Sequence, residues 1–181
     1  MTGTLTDALL AVHDILEAVG VPHALCGGLA ANLYREEVRA TSDVDLAVAV
    51  GPAHIVDLVK RFADHGWRAE PYWRQGEQLR LTRGDLPRVD CLVATTDYER
   101  TAIERSTLAT IEGHELHVLA AEDLIVFKLV AGRARDYEAV AAIINARGGR
   151  LDVEYIKGWL EQFGRPEAWA RAVDEARREA G

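Results

Sequence analysis

The seven residues Val44 to Val50, VDLAVAV, hold one acid, Asp45, in an otherwise apolar and β-branched run that Gly51-Pro52 stops. A run so short and so apolar reads as a strand buried on both faces. Such a strand needs neighbours in a sheet and helices over it, which commits the chain to a mixed α/β interior. Composition agrees, because 49% of the 181 residues are hydrophobic and only 7% aromatic, so aliphatic side chains must fill the core.

The flanking segments supply the rest of that architecture. Leu5, Leu9, Val12, Leu16 and Val19 recur at three- and four-residue steps, predicting an amphipathic helix entered through Thr4 or Thr6 and ended by Gly20. HALC reads as a short buried strand ending at Gly27-Gly28, followed by a helix from Leu29 to about Glu37. A helix is expected from Ala53 to His65, then three short strands in WRAEPY, EQLRLTR and RVDCLVA, the last two joined as an antiparallel hairpin. A helix over Asp97 to Glu104 and strands near 107–111 and 115–118 precede a wholly helical stretch from Ala120 onward. The expected fold is α/β (α+β): residues 1–119 form a mixed twisted sheet flanked by helices, and 120–181 form a C-terminal helical extension packed on it.

The formal net charge of −8 argues against a surface that grips nucleic acid everywhere, while leaving room for a local basic patch from Arg35, Arg39, Arg80, Arg83, Arg133 and Arg135. Both cysteines, Cys26 and Cys91, sit in apolar runs and read as buried free thiols. No signal sequence follows Met1, and no apolar run approaches the roughly 20 residues that span a bilayer. A cytoplasmic protein without a membrane partner is expected.

Side chains alternate across a strand, so Asp43 and Asp45 point to one face and Val44 to the other. Two carboxylates so placed repel unless a cation lies between them, and hard oxygen donors suit Mg²⁺, with Mn²⁺ as the alternative. Asp90, embedded in RVDCLVA, would add a third carboxylate if its strand lay beside Val44 to Val50. Gly27 and Gly28, lacking β-carbons, would let a ligand approach the backbone, and the helix after them would offer free N–H groups to an anion. Each piece alone has a plainer reading: solvated acids at a turn made by Thr41 and Ser42, or a tight glycine turn. Their conjunction favours a site. Trp73 in PYWRQG is the tryptophan suited to stacking on a base; Trp67, Trp159 and Trp169 read as packing residues, and His114 and His117 as structural.

Gly27-Gly28, Asp43-Val44-Asp45 and Asp90 together resemble the signature of the polymerase-β-like nucleotidyltransferase fold. Two longer patterns, R-x-T-x-D-x-D from Arg39 to Asp45 and K-x-x-A-x-R-x-R-D from Lys128 to Asp136, are similar to motifs of the AbiEii and MenT group of nucleotidyltransferase toxins from bacterial toxin-antitoxin pairs. The resemblance spans roughly Leu25 to Val140. It implies catalytic roles for Asp43, Asp45, Lys128 and Asp136, and metal binding by Asp43, Asp45 and Asp90. It also implies nucleotide contacts from Gly27, Gly28, Arg39, Thr41, Ser42, Arg133 and Arg135. The implied reaction moves an NMP from ATP, CTP, GTP or UTP to an acceptor hydroxyl, the tRNA 3′ end, with an antitoxin protein as partner. That toxin group often lacks or displaces the third acid, which makes Asp90 the conditional ligand. Alternatives are a protein or small-molecule acceptor such as an aminoglycoside, or a catalytically inactive module that binds nucleotide or an antitoxin. On a continuous helix Lys128, Gly132 and Arg135 would share a face; if Gly132 ends the helix, Arg133 and Arg135 fall in a turn before the next one.

Overall fold

The computed structural model describes residues 3–72 and 78–180. In chain order its elements are α1 (Leu5–Ala18), β1 (His23–Cys26), α2 (Gly27–Asn32), β2 (Asp43–Val48), α3 (Ile55–Asp64), β3 (Arg68–Tyr72), β4 (Gln78–Thr82) and β5 (Arg88–Val93), followed by α4 (Asp97–Glu104), β6 (Thr107–Ile111), β7 (His114–Val118), α5 (Ala121–Ala131), α6 (Ala134–Arg147), α7 (Val153–Gln162) and α8 (Ala168–Ala180). They form two units, Met1–Leu29 with Ala40–Leu119, and Ala30–Arg39 with Ala120–Gly181. The segment 30–39, read from sequence as part of the 1–119 region, therefore groups with the C-terminal helices. Trp73 lies outside the described residues.

The first unit is built on a seven-stranded sheet of order β3-β4-β5-β2-β1-β7-β6. Its centre is the parallel pair β2 and β5, with β1 antiparallel to β2 and parallel to β7. β4 and β5 pair antiparallel, as the hairpin expectation had it. Val44, Leu46, Ala47 and Val48 of β2 are buried, and helix α1 packs on β2 and β5 with Leu9, Val12 and Leu16 inside. Helix α1 starts where sequence placed it because the Thr4 hydroxyl accepts the Asp7 N–H at 3.0 Å and the Asp7 carboxylate accepts the Thr4 N–H at 2.8 Å. The Thr4 N–H bonded to it, with the Thr4 hydroxyl second, holds the Asp7 carboxyl below its usual range.

Helix α2 is shorter than expected and begins earlier, with six residues from Gly27. The chain leaves the helix through tighter bonds, from Leu33 N–H to the Ala30 carbonyl and from Tyr34 N–H to the Ala31 carbonyl, both at 3.1 Å. The Asn32 amide donates to the Arg39 carbonyl at 3.0 Å and accepts the Arg39 N–H at 3.1 Å, which ties down the loop that follows.

The second unit is helical. Helix α5 buries Leu124, Ile125, Val126 and Leu129, and also Asp123 at 0% exposure, whose carboxylate accepts the Tyr155 hydroxyl of α7 at 2.5 Å. Small buried residues, Ala139 on α6 with Ala172 and Ala176 on α8, let those two helices pack closely, and Asn145 Nδ2 donates to the Ala176 carbonyl at 3.1 Å. Gly132, at φ 68°, ends α5, so the continuous-helix alternative for Lys128 and Arg135 does not hold. Among the described residues no helix is long and apolar enough to cross a membrane.

Candidate active site

The strand register assembles the acids. β2 and β5 run parallel with Asp45 opposite Asp90 and Asp43 opposite Arg88. Partnered residues on adjacent strands share a face, so all three carboxylates project from one side of the sheet while Val44 and Cys91 are buried on the other. The condition attached to Asp90 in the sequence reading is thereby met.

Two arginines that sequence reasoning did not assign to the site belong to it. Arg88 contacts the Asp43 Oδ2 directly, and its Nε lies 3.1 Å from Asp90 Oδ2. That Nε is buried and makes no hydrogen bond, so its attraction to Asp90 is electrostatic without a directed bond. Arg80 on β4 donates through Nε to Asp90 Oδ1 at 3.0 Å. Both were legible in principle, since Arg88 sits two residues from Asp90 on the same strand face and Arg80 across a hairpin from it.

The guanidinium of Arg88 thus stands where the acids call for positive charge, wedged between Asp43 and Asp90. A hard divalent ion of the Mg²⁺ type needs only one or two carboxylates plus waters and phosphates, so the set does not have to close to a point to fit it. The buried Cys91 thiol responds to the same field: burial first, then the charges of Asp90 and Asp45, push its pKa up.

The glycine pair meets this cluster. Gly27 has φ 64°, and a β-carbon on it would lie 1.9 Å from Asp45 Oδ2. A β-carbon on Gly28 would lie 3.1 Å from Thr41 Oγ1, and the Thr41 hydroxyl in turn donates to Asp43 Oδ1 at 3.2 Å. The glycines were expected to leave room for a ligand; at Gly27 that room is taken by the Asp45 carboxylate. With only six residues in α2, any anion contact here rests on the glycine backbone and not on a long helix dipole. Ser42 is exposed beside them.

No family model matches the chain, and no curated protein is similar to it in sequence. Solved structures are similar. The solution structure of the antibiotic-resistance factor ANT(2'')-Ia superposes with TM-score 0.61 at 17% identity, over 94% of this chain and 96% of that one. The lincosamide antibiotic adenylyltransferase LnuA, with lincomycin bound, gives 0.54 at 16% identity, over 75% and 93%. An antigenic nucleotidyltransferase-like protein from Paracoccidioides brasiliensis gives 0.50 at 20% identity, over 91% and 88%. This chain has the nucleotidyltransferase fold. The mixed sheet flanked by helices expected from the sequence is that fold.

The other predicted site residues fall in the helical unit. Lys128 Nζ lies 3.9 Å from Asp136 Oδ1, and Asp136, 2% exposed, accepts the Arg133 Nε at 2.6 Å and the Arg133 N–H at 3.3 Å. Lys128, Arg133 and Asp136 are therefore one charged cluster, formed because the turn at Gly132 folds the start of α6 back toward the end of α5. Arg135 is exposed on α6. Arg39 is elsewhere in the unit, paired with Glu138 at 3.1 Å, on the wall of a cavity of about 540 Å³ that Glu36, Glu37 and Glu179 also line. Burial, then Glu175 and Glu138, raise the Glu179 carboxyl above its usual range.

Proposed function

We propose that this protein is a nucleotidyltransferase that moves an NMP from an NTP to an acceptor hydroxyl. The observation that carries the reading is the β2/β5 register, which sets Asp43, Asp45 and Asp90 on one sheet face beside the bare backbone of Gly27. Asp43, Asp45 and Asp90 are the residues that would hold a divalent cation, Mg²⁺ before Mn²⁺. When bound, such an ion lowers the pKa of the attacking hydroxyl and offsets phosphate charge.

The chain's own residues do the rest. Arg88 and Arg80 keep the carboxylates oriented and neutralised before the nucleotide arrives, and Thr41 fixes the Asp43 rotamer. In the transfer, the acceptor oxygen bonds to the α-phosphorus and the bond from that phosphorus to its leaving oxygen breaks. Pyrophosphate departs, and the hydroxyl proton passes to a site carboxylate. Phosphate contacts by Lys128, Arg133 and Arg135, the supporting role of Asp136, and the nucleotide contacts of Arg39 and Ser42 are assigned on the sequence resemblance.

A small-molecule hydroxyl is the acceptor we favour. Two similar structures are an antibiotic-resistance factor and a lincosamide adenylyltransferase, each matched along more than nine-tenths of its own length, and a net charge of −8 suits a cationic acceptor better than a polyanion. The R-x-T-x-D-x-D and K-x-x-A-x-R-x-R-D patterns favour a second reading, a toxin that modifies the tRNA 3′ end and is held by an antitoxin.

Each α-labelled NTP, with Mg²⁺, is offered total tRNA in one arm and a panel of aminoglycosides and lincosamides in the other. Label on a panel compound, absent with Asp45→Asn, supports the favoured reading. Label on tRNA alone selects the second. Nucleotide binding with no pyrophosphate release in either arm replaces both with a non-catalytic binding module.

A further inference from the structure

A second cluster of ligating side chains lies at the other end of β1. His23 opens that strand and Cys26 closes it, and in the β1/β2 register His23 faces Val48 whereas Cys26 faces Asp45. Three residues at the rise of a strand separate the two ends by about 10 Å. There, ligand atoms of His13, Glu17 and His23 all lie within 4.8 Å of one another, the one such group of histidine, cysteine and acidic residues among the described residues.

The local chain is built to hold them so. His13 and Glu17 are one helical turn apart on α1 and share a face. The helix ends with Gly20 N–H bonded to the Glu17 carbonyl at 3.0 Å and Val21 N–H to the Leu16 carbonyl at 3.0 Å, which turns the chain back so that His23 meets His13. His23 Nδ1 lies 2.8 Å from the Val21 carbonyl. Only a ring N–H bonds a carbonyl, so Nδ1 carries the proton and Nε2 turns its lone pair outward. A backbone carbonyl on the far nitrogen is how ligating imidazoles are oriented and their tautomer fixed. The lone pair of His23 Nε2 faces His13 Nδ1 at 2.8 Å.

We propose that His13, Glu17 and His23 form a binding site for a divalent transition-metal ion, zinc foremost, distinct from the carboxylate site. Two imidazoles and one carboxylate are a borderline-soft set that zinc accepts and magnesium, which takes oxygen ligands, does not. A tetrahedral ion at the usual bond lengths wants its two nitrogens about 3.3 Å apart, so the rings need open by only ~0.5 Å. His13 shifts its proton to Nε2 as the ion replaces the hydrogen bond. Glu17, exposed on the last turn of α1, has the freedom to swing its carboxylate in as third ligand. The bound ion would staple α1 to β1 and leave a fourth position to water.

Zinc chloride is titrated into the untagged full-length protein by calorimetry, in an Asp43→Asn/Asp45→Asn/Asp90→Asn background that removes the competing carboxylates, with MgCl₂ as control. One equivalent of Zn²⁺ is expected, with binding weakened at least tenfold in both His13→Ala and Glu17→Gln and a zinc-dependent rise in Tm of several degrees that those variants lose. His13 and Glu17 are the chosen positions because neither is a fully buried side chain, so loss of binding is not loss of fold; unchanged circular dichroism verifies this. Zinc affinity unaltered in either variant, or no zinc binding beyond the Mg²⁺ control, overturns the proposal.

Discussion

Asp45 lies against Gly27 so closely that a β-carbon at Gly27 would come within 2.6 Å of the Asp45 Cβ as well as 1.9 Å of its Oδ2. Rotating the carboxylate away cannot relieve a clash with the β-carbon itself. The backbone adds its own demand, because φ at Gly27 is 64°, a region costing a non-glycine residue about 1–2 kcal/mol. Gly27→Ala is therefore expected to displace Asp45 and β1 together. Activity should fall at least a hundredfold, with Tm lower by several degrees. Wild-type turnover in that variant would mean that Asp45 is not where the chemistry needs it.

Arg88 competes with any cation for Asp43 and Asp90. Its side chain is 39% exposed, so each ion pair is worth no more than about 1 kcal/mol. Arg88→Ala should cost stability of that order without Mg²⁺, since three acids are left with less positive charge beside them. It should also raise Mg²⁺ affinity severalfold, because the ion no longer displaces a guanidinium. Thermal unfolding at graded MgCl₂ reads both effects. An affinity that does not rise would show Arg88 to be a spectator of metal binding.

These two cases show what the sequence carried and what it did not. The strand expected at 44–50, and found at 43–48, was legible because its apolar, β-branched run has clear stops, and the shared face of Asp43 and Asp45 follows from alternation alone. That Asp90 lies beside Asp45 depends on a pairing across 45 positions, which no local pattern encodes. Arg88 reads as an ordinary strand charge until that pairing is known, and Arg80 as a member of a basic patch. Helix α2 was misjudged because the apolar run from Leu29 continues past the point where the chain tightens and leaves the helix. His13 and His23 escaped notice because one comes from a helix and the other from a strand, at no familiar ligand spacing. His117 Nδ1 lies 3.0 Å from the Ser106 hydroxyl oxygen.

Helix α7 is tied to α5 by a phenol-to-carboxylate hydrogen bond in which Asp123 is completely buried. Tyr155→Phe removes the donor and with it one hydrogen bond to a buried charged group, which costs about 1–3 kcal/mol. Urea unfolding of the two proteins measures it. A loss below about 0.5 kcal/mol, at the low end for a hydrogen bond, would show that other groups satisfy Asp123 without the phenol.

The buried Cys91 thiol gives the fold a pH signature, to which the carboxylates add. Burial and the negative charges of Asp90 and Asp45 raise its pKa above the ordinary 9.0. The folded protein then keeps a proton that the unfolded chain gives up, so the contribution is whole below pH 9 and is lost as pH rises beyond it. Over the next unit the slope approaches about 1.4 kcal/mol per pH unit for one proton. Chemical denaturation of the wild type and of Cys91→Ala between pH 8 and 10.5 isolates the effect, because lysine and tyrosine titrations are common to both. The wild type should lose stability more steeply, and its native form should resist thiol reagents at Cys91 throughout. Parallel slopes would mean that the thiol ionises in place, and that neither its burial nor the nearby acids hold its proton.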